Sequence, residues 1–281
     1  MSKIYDALKK AEGALADTPD PQGLWPEQPV ALHMPASTLE NVISALPVAP
    51  WVPSVPDLLL ATNGHQAHSE PFRRLRQHLS TVLSSGNAKS MLVTSALPGE
   101  GKTFISANLA VAVARREAQR VLLIDGDLHR GAVSTMLGAT RSPGLAELLA
   151  GTAQMEQVIQ RSPFGSLYLI SAGDATVSIP ELLHGDVLQK HVGVLKQTFD
   201  LIIIDSPAAL TVADAVELGS AADSVLLVVQ AGEVRRDSVQ KVRDLFAPKV
   251  VGVVLNRSAK TSVSSGYAGS YDYAQDRGDK N

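Results

Sequence analysis

Five runs in this chain are dominated by Val, Ile, Leu and Met with no charged residue: residues 91–94, 121–124, 201–204, 224–229 and 250–255. A strand that faces water on one side alternates apolar and polar residues. A continuous Val/Ile/Leu run indicates a strand covered on both faces. Helical patterns fall between these runs, at 70–83, 103–116, 144–150, 180–199 and 236–245, with a further strand at 167–171. Pro71 is tolerated in the first turn of the first of these helices. The alternation predicts an α/β fold, a mostly parallel central sheet with helices on both faces. Ligands of such a sheet bind at the carboxyl ends of its strands.

The flanks read differently. Ile4, Leu8, Ala11 and Leu15 share one face, so residues 1–15 are expected to form an amphipathic helix. It is either a frayed terminus or a docking helix. Nine of the 16 prolines lie between Pro19 and Pro56, and Pro47, Pro50, Pro53 and Pro56 recur at the period of polyproline II. Residues 16–68 are therefore expected to be a semi-rigid linker. Residues 69–257 form the domain, and the polar, Gly/Ser-rich stretch 258–281 forms a flexible tail. Apolar residues make up 45% of the 281, enough for a core, and the net charge of −3 disfavours a nucleic-acid partner. No cysteine is present, which removes disulfides and thiolate metal sites. The longest apolar candidate, residues 44–61, is broken by four prolines, so a soluble, cytoplasmic chain is expected.

Chemistry concentrates at three strand ends. After the run 91–94 comes Ser95-Ala96-Leu97-Pro98-Gly99-Glu100-Gly101-Lys102-Thr103, and a helix follows. A glycine-rich turn there aims backbone N–H groups at phosphate oxygens, and the helix N-terminus adds partial positive charge. Pro98, Gly99, Glu100, Gly101, Lys102, Thr103 and Phe104 are the candidate nucleotide contacts. Lys102 reaches the terminal phosphates and the Thr103 hydroxyl binds Mg²⁺. Ala96 stands where a P-loop usually has its first glycine. The run 121–124 ends in Asp125-Gly126-Asp127, two carboxylates on one face of a strand. The run 201–204 ends in Asp205-Ser206-Pro207, the natural Walker B carboxylate. Thr103, Asp125, Asp127 and Asp205 are the candidate Mg²⁺ ligands, since that ion takes oxygen donors. Asn256 and Arg257 follow the last strand; an Asn there can hydrogen-bond adenine or satisfy a turn.

Residues 96–103, 121–127 and 199–207 together resemble the bacterial tyrosine kinases, P-loop proteins related to the MinD/ParA group. The resemblance spans residues 69–273, and residues 1–12 look like the subgroup of exopolysaccharide loci. The resemblance implies an ATP- and Mg²⁺-dependent protein-tyrosine autokinase. Lys102, Asp125 and Asp127 are its catalytic residues. Its acceptors are Tyr267, Tyr271 and Tyr273, three of the chain's five tyrosines within its last fifteen residues. Glu70, Arg73 and Arg76 match an E-x-x-R-x-x-R element associated with subunit contacts in a ring. The family's partner is a separate membrane protein of the polysaccharide chain-length class, which would bring the chain to the inner membrane. Two positions depart from the family: His129 replaces the first residue of a basic pair, and Ala208 stands where a second proline is common.

A phenol ionises near pH ~10, so it is a poor nucleophile at neutral pH and needs a carboxylate to accept its proton. Asp125 or Asp127 is that base. From Asn256 to Tyr267 the chain can extend ~35–40 Å, enough for a neighbour's site as well as its own. The alternative function is a nucleotide-gated switch or positioning ATPase of the MinD/ParA type. That class carries a signature lysine where this chain has Leu97, and ends in an amphipathic membrane helix where this one has Gly, Ser, Tyr and Asp.

Overall fold

The computed structural model describes residues 36–54, 66–86, 88–115 and 119–258. Residues 1–15 and the tail tyrosines Tyr267, Tyr271 and Tyr273 lie outside them. Seven strands form one sheet in the order β3-β4-β2-β5-β1-β6-β7. They are β1 (Ser90–Ser95), β2 (Val121–Asp125), β3 (Ile159–Arg161), β4 (Leu167–Ile170), β5 (Leu201–Asp205), β6 (Ser224–Gln230) and β7 (Val250–Asn256). Every neighbouring pair is parallel except β3–β4. The mostly parallel sheet was legible in the sequence. The antiparallel edge strand β3, three residues long with only Ile159 buried, left no periodic signal.

Both faces of the sheet are covered over β1, β2, β5 and β6, which is why those strands carry no polar alternation; the edge strand β7 departs from the expectation, with Val253 and Leu255 exposed. Leu122 and Ile124 of β2 enter one apolar cluster, while Val121 and Leu123 enter the other. On the second face lies α3 (Lys102–Ala114), with eleven of its residues buried. Outside it packs α2 (Gln66–Gly86), where Phe72 meets Phe104 edge to face with ring centroids 6.1 Å apart. The first face is covered by short helices. Among them are α5 (Leu145–Leu149), α8 (Val187–Thr198) and α9 (Asp214–Ala221); α9 was not foreseen, its Gly and Ser diluting the apolar stripe.

Residues 36–54, expected as part of a semi-rigid linker, pack on the domain instead. They contain α1 (Ala36–Ala45), whose Leu39 and Ile43 are sealed in the core, and Trp51, which is also buried. Glu40 pairs with Arg120 at 2.6 Å, Ala49 N–H donates to Arg161 O at 2.9 Å, and Val48 bridges Arg161 beside β3. The stretch ends on α4 (Ala132–Leu137): Ser54 N–H donates to Met136 O and its Oγ to Thr135 O. Gly138 leaves room for this path, because a Cβ there would collide with the Val52 carbonyl. Buried Leu39, Ile43 and Trp51 make residues 36–54 a strap rather than a tether. Among the described residues, no helix is long and apolar enough to cross a membrane.

Candidate phosphotransfer site

The carboxyl ends of β1, β2 and β5 meet at one place, as the strand order requires. Asp125 and Asp205 are register partners on adjacent strands, and Val93 of β1 is the partner of Asp205 on the other side. The turn after β2 lies close to β5: Gly126 N–H donates to Asp205 O at 2.9 Å, and a Cβ on residue 126 would sit 2.6 Å from that oxygen. A glycine between the two aspartates is therefore a packing requirement.

The loop between β1 and α3 is braced from within. Gly101, at φ 90°, takes a left-handed conformation that other residues adopt only with strain. A side chain on it would strike the Asn256 amide. Glu100 is almost wholly buried. One carboxylate oxygen accepts Leu97 N–H at 2.6 Å and the other accepts Gln230 N–H at 3.0 Å, while Asn256 Nδ2 donates to its carbonyl at 2.8 Å. The Glu100 side chain thus ties the loop to β6 and its backbone ties it to β7. That brace was not foreseen, because its partners lie 130 and 156 positions away in sequence. Asn256 Nδ2 braces the loop and its Oδ1 accepts Arg257 N–H. Arg257, at φ 55°, directs its guanidinium to Gln230 Oε1.

Lys102 is buried beside Asp205. Ser106 Oγ donates to Asp205 Oδ1 at 3.0 Å, while Asp205 Oδ2 is buried with no hydrogen-bond partner. Burial pushes the Asp205 carboxyl up to about 6, against the opposing pull of Lys102 and the Thr103 and Ser106 hydroxyls. Asp125 is pushed further, to about 8, by burial first and by the charge of Asp205 second. Its Oδ2 accepts Val133 N–H of α4 at 2.9 Å, and its Oδ1 accepts Asp127 N–H at 3.3 Å. Asp127 lies nearer the surface and accepts Arg130 N–H at 3.2 Å. His129 pairs with Asp214 at the start of α9, 2.8 Å apart, so it anchors the loop after Asp127 to that helix.

Phosphate is accommodated by the loop, whose helix leaves its first N–H groups without intrahelical acceptors. A hard cation fits too. Among the described residues no group of three or more acidic or imidazole side chains could hold a metal by itself. Mg²⁺ prefers one or two carboxylates completed by phosphate and water, and the orphaned Asp205 Oδ2 beside Thr103 is such a partial site.

The E-x-x-R-x-x-R element is not one uniform exposed stripe. Glu70 is clasped by Arg73 and Arg74, at 2.7 and 2.9 Å, on the outside of α2. Arg76 turns inward and donates to Ala112 O at 2.8 Å, capping the end of α3.

A family model described as an AAA domain matches residues 89–247. The tyrosine-protein kinase YwqD of Bacillus subtilis is 31% identical over 220 residues, covering 77% of this chain and 92% of that protein. The chain belongs to the bacterial tyrosine kinases. The kinase domain of the Escherichia coli tyrosine kinase Etk has the same fold, with TM-score 0.68, 31% identity, and coverage of 77% of this chain and 86% of that one. The septum site-determining protein MinD of Pyrococcus horikoshii, solved with Mg-ADP, is a more distant neighbour: TM-score 0.53, 26% identity, 62% of this chain and 72% of that one. Other curated kinases in the family are longer, and this chain spans 28% of their length. The family membership and the strand-end loop make the chain a nucleotide-binding protein-tyrosine kinase.

Proposed function

We propose that this kinase transfers the terminal phosphoryl group of ATP to tyrosines of its own tail, Tyr267, Tyr271 and Tyr273, on the same chain or a neighbouring copy. The observation that carries the reading is Asp205 Oδ2. It is a buried acceptor without a protein partner, set among Lys102, Thr103 and Asp125 at the mouth of a phosphate-binding loop.

The loop N–H groups and Lys102 bind and orient the phosphates. Thr103 and Asp205 would hold Mg²⁺, which supplies charge neutralisation at the phosphates when bound. Asp125 positions the turn, since both of its oxygens are engaged by backbone N–H groups. A carboxyl pushed up to about 8 is also a poor proton acceptor at neutral pH. Asp127, nearer the surface on the same turn, is the acceptor of the phenol proton. In the transfer, a bond forms between the phenol oxygen and the γ-phosphorus, and the bond to the β–γ bridging oxygen breaks. ADP leaves, and the proton passes to the Asp127 carboxylate.

Glu70 and Arg73, exposed on α2, are suited to contacts between copies, and a ring or other homo-oligomer brings tails to neighbouring sites. Each phosphotyrosine adds ~1.5–2 negative charges, which weakens tail docking and loosens the assembly. By analogy with its family, the kinase serves exopolysaccharide biosynthesis and export, held at the inner membrane by a chain-length protein that activates it. The deciding experiment is incubation with labelled ATP and mapping of the labelled residues. Label on the three tail tyrosines supports the reading; ATP hydrolysis without protein labelling would return the MinD/ParA-type switch.

A further inference from the structure

The mouth of the site carries two apolar side chains that phosphate binding does not use. Leu97 is 42% exposed in the loop after β1, and Leu210 is 41% exposed in the loop after β5. A lone exposed leucine is ordinary, but the backbone brings these two loops together. Ala209 N–H donates to Ser95 O at 2.8 Å, and Leu210 N–H donates to Ala96 O at 3.3 Å. Both loops also bear reacting groups: Lys102 lies five residues beyond Leu97, and Asp205 five residues before Leu210. Polar phosphates give such side chains nothing to bury against. An apolar group laid across both loops would bury the two together.

The chain carries an occupant of the right chemistry. Its described part ends at Ser258, two residues beyond Asn256, whose amide is bonded to Glu100 of the same phosphate loop. The tail therefore starts at the site. Tyr267 lies nine residues further on, within ~30 Å of extended chain. A tyrosine side chain has an apolar ring and a polar tip. Seating the ring on two leucines leaves the hydroxyl free to meet Asp127, on the turn after β2.

We infer that Leu97 and Leu210 form the seat for the acceptor ring of a tail tyrosine, and that they set the preference for tyrosine over serine and threonine. The inference rests on the phosphotransfer reading and adds the acceptor-binding residues to it. Serine and threonine lack a ring to fill the seat, and their shorter side chains hold the hydroxyl farther from Asp127.

The test uses the full chain with Tyr267, Tyr271 and Tyr273 replaced by Phe, and a synthetic peptide of residues 259–281 as acceptor. Leu210→Ser should raise the peptide KM about five- to tenfold, the scale of re-exposing half a leucine. The ATP KM should stay within about twofold, and Leu210→Met should restore the peptide KM. An unchanged peptide KM overturns the seat, as does an ATP KM that rises in parallel. If Leu210→Ser alters the sedimentation of the protein and leaves the peptide KM alone, the leucines belong to a subunit contact and the seat is again overturned. The phosphotransfer reading fails by a separate result: no labelling of the peptide, and none of the unsubstituted chain, by protein that retains both leucines. That result removes the seat with it.

Discussion

The strap at residues 36–54 and the phosphate site at the strand ends both reach α4, yet they differ in the groups they leave open. In the strap, Glu40, Ala49 and Ser54 each find a protein partner and Leu39, Ile43 and Trp51 are buried, while Trp51 Nε1 is unpartnered and Val48 and Val52 face water. At the phosphate site Asp205 Oδ2 is left without one, Asp125 is pushed up to about 8, and Leu97 and Leu210 face water. What separates the two is charge: the strap's unpartnered atom is a neutral indole N–H, whereas the site's is a carboxylate oxygen set beside Lys102 and Asp125. Helix α4 is where they meet: the strap holds Thr135 and Met136, and Asp125 holds Val133. A displaced strap thus has a direct mechanical route to the turn that carries Asp127.

That contrast can be broken by substitution. Lys102→Met should produce the largest effect, a loss of phosphotransfer of at least ~100-fold, since it removes the cation that meets the phosphates. Its melting temperature should match the parent's; a large drop would place Lys102 with the structural residues. Ile43→Ala should do the reverse. It should cost about 2–5 kcal/mol of stability in a denaturant titration, the range for a fully buried Ile, while activity well below the melting point persists. Should Ile43→Ala instead lower kcat with little loss of stability, the strap is a control element rather than a structural one.

Glu100→Ala comes next. It leaves Leu97 and Gln230 N–H groups without their acceptor, a loss of about 1–3 kcal/mol. ATP affinity and stability should both fall, because Glu100 belongs to both regions. An isothermal titration showing unchanged affinity would confine the brace to folding.

The smallest effect is on pH dependence. Asp125 and Asp205 titrate higher in the folded chain than their ordinary value of 3.8, so between that value and about 8 the folded state holds more protons than the unfolded. Their favourable contribution is complete below pH 3.8. It is lost as pH rises, first through about 6 for Asp205 and then through about 8 for Asp125. Ligand-free protein should therefore melt lower at pH 8 than at pH 6, and Asp125→Asn should flatten that slope. A slope of opposite sign would mean that the two carboxyl groups are not buried together. At the acid end Glu147 and Asp223, whose hydrogen bonds outweigh burial and hold them below their ordinary values, limit the gain.

What the sequence disclosed follows the same division. The parallel strands were legible because double-sided burial writes itself as contiguous Val, Ile and Leu. The phosphate loop was legible because Gly99, Gly101, Lys102 and Thr103 are adjacent in the chain. The strap was not, although Leu39, Ile43 and Leu46 have helical spacing, because the proline period around them matched an extended spacer. Glu100 as a brace, Arg76 as a cap on α3 and the His129–Asp214 pair were illegible for another reason. Each depends on a partner far away in sequence, and only the folded sheet brings the two together. The phosphate contacts are local in sequence; the groups that hold them rigid are not.

The central claim is that the strand-end site passes phosphate to the tail phenols. Its most direct test is mass-spectrometric mapping of the purified chain after incubation with Mg-ATP, beside the Lys102→Met protein. The account predicts phosphate on Tyr267, Tyr271 and Tyr273 in the first and none in the second. Phosphate absent from all three while ATP is consumed, or equally present on the Lys102→Met protein, would contradict it.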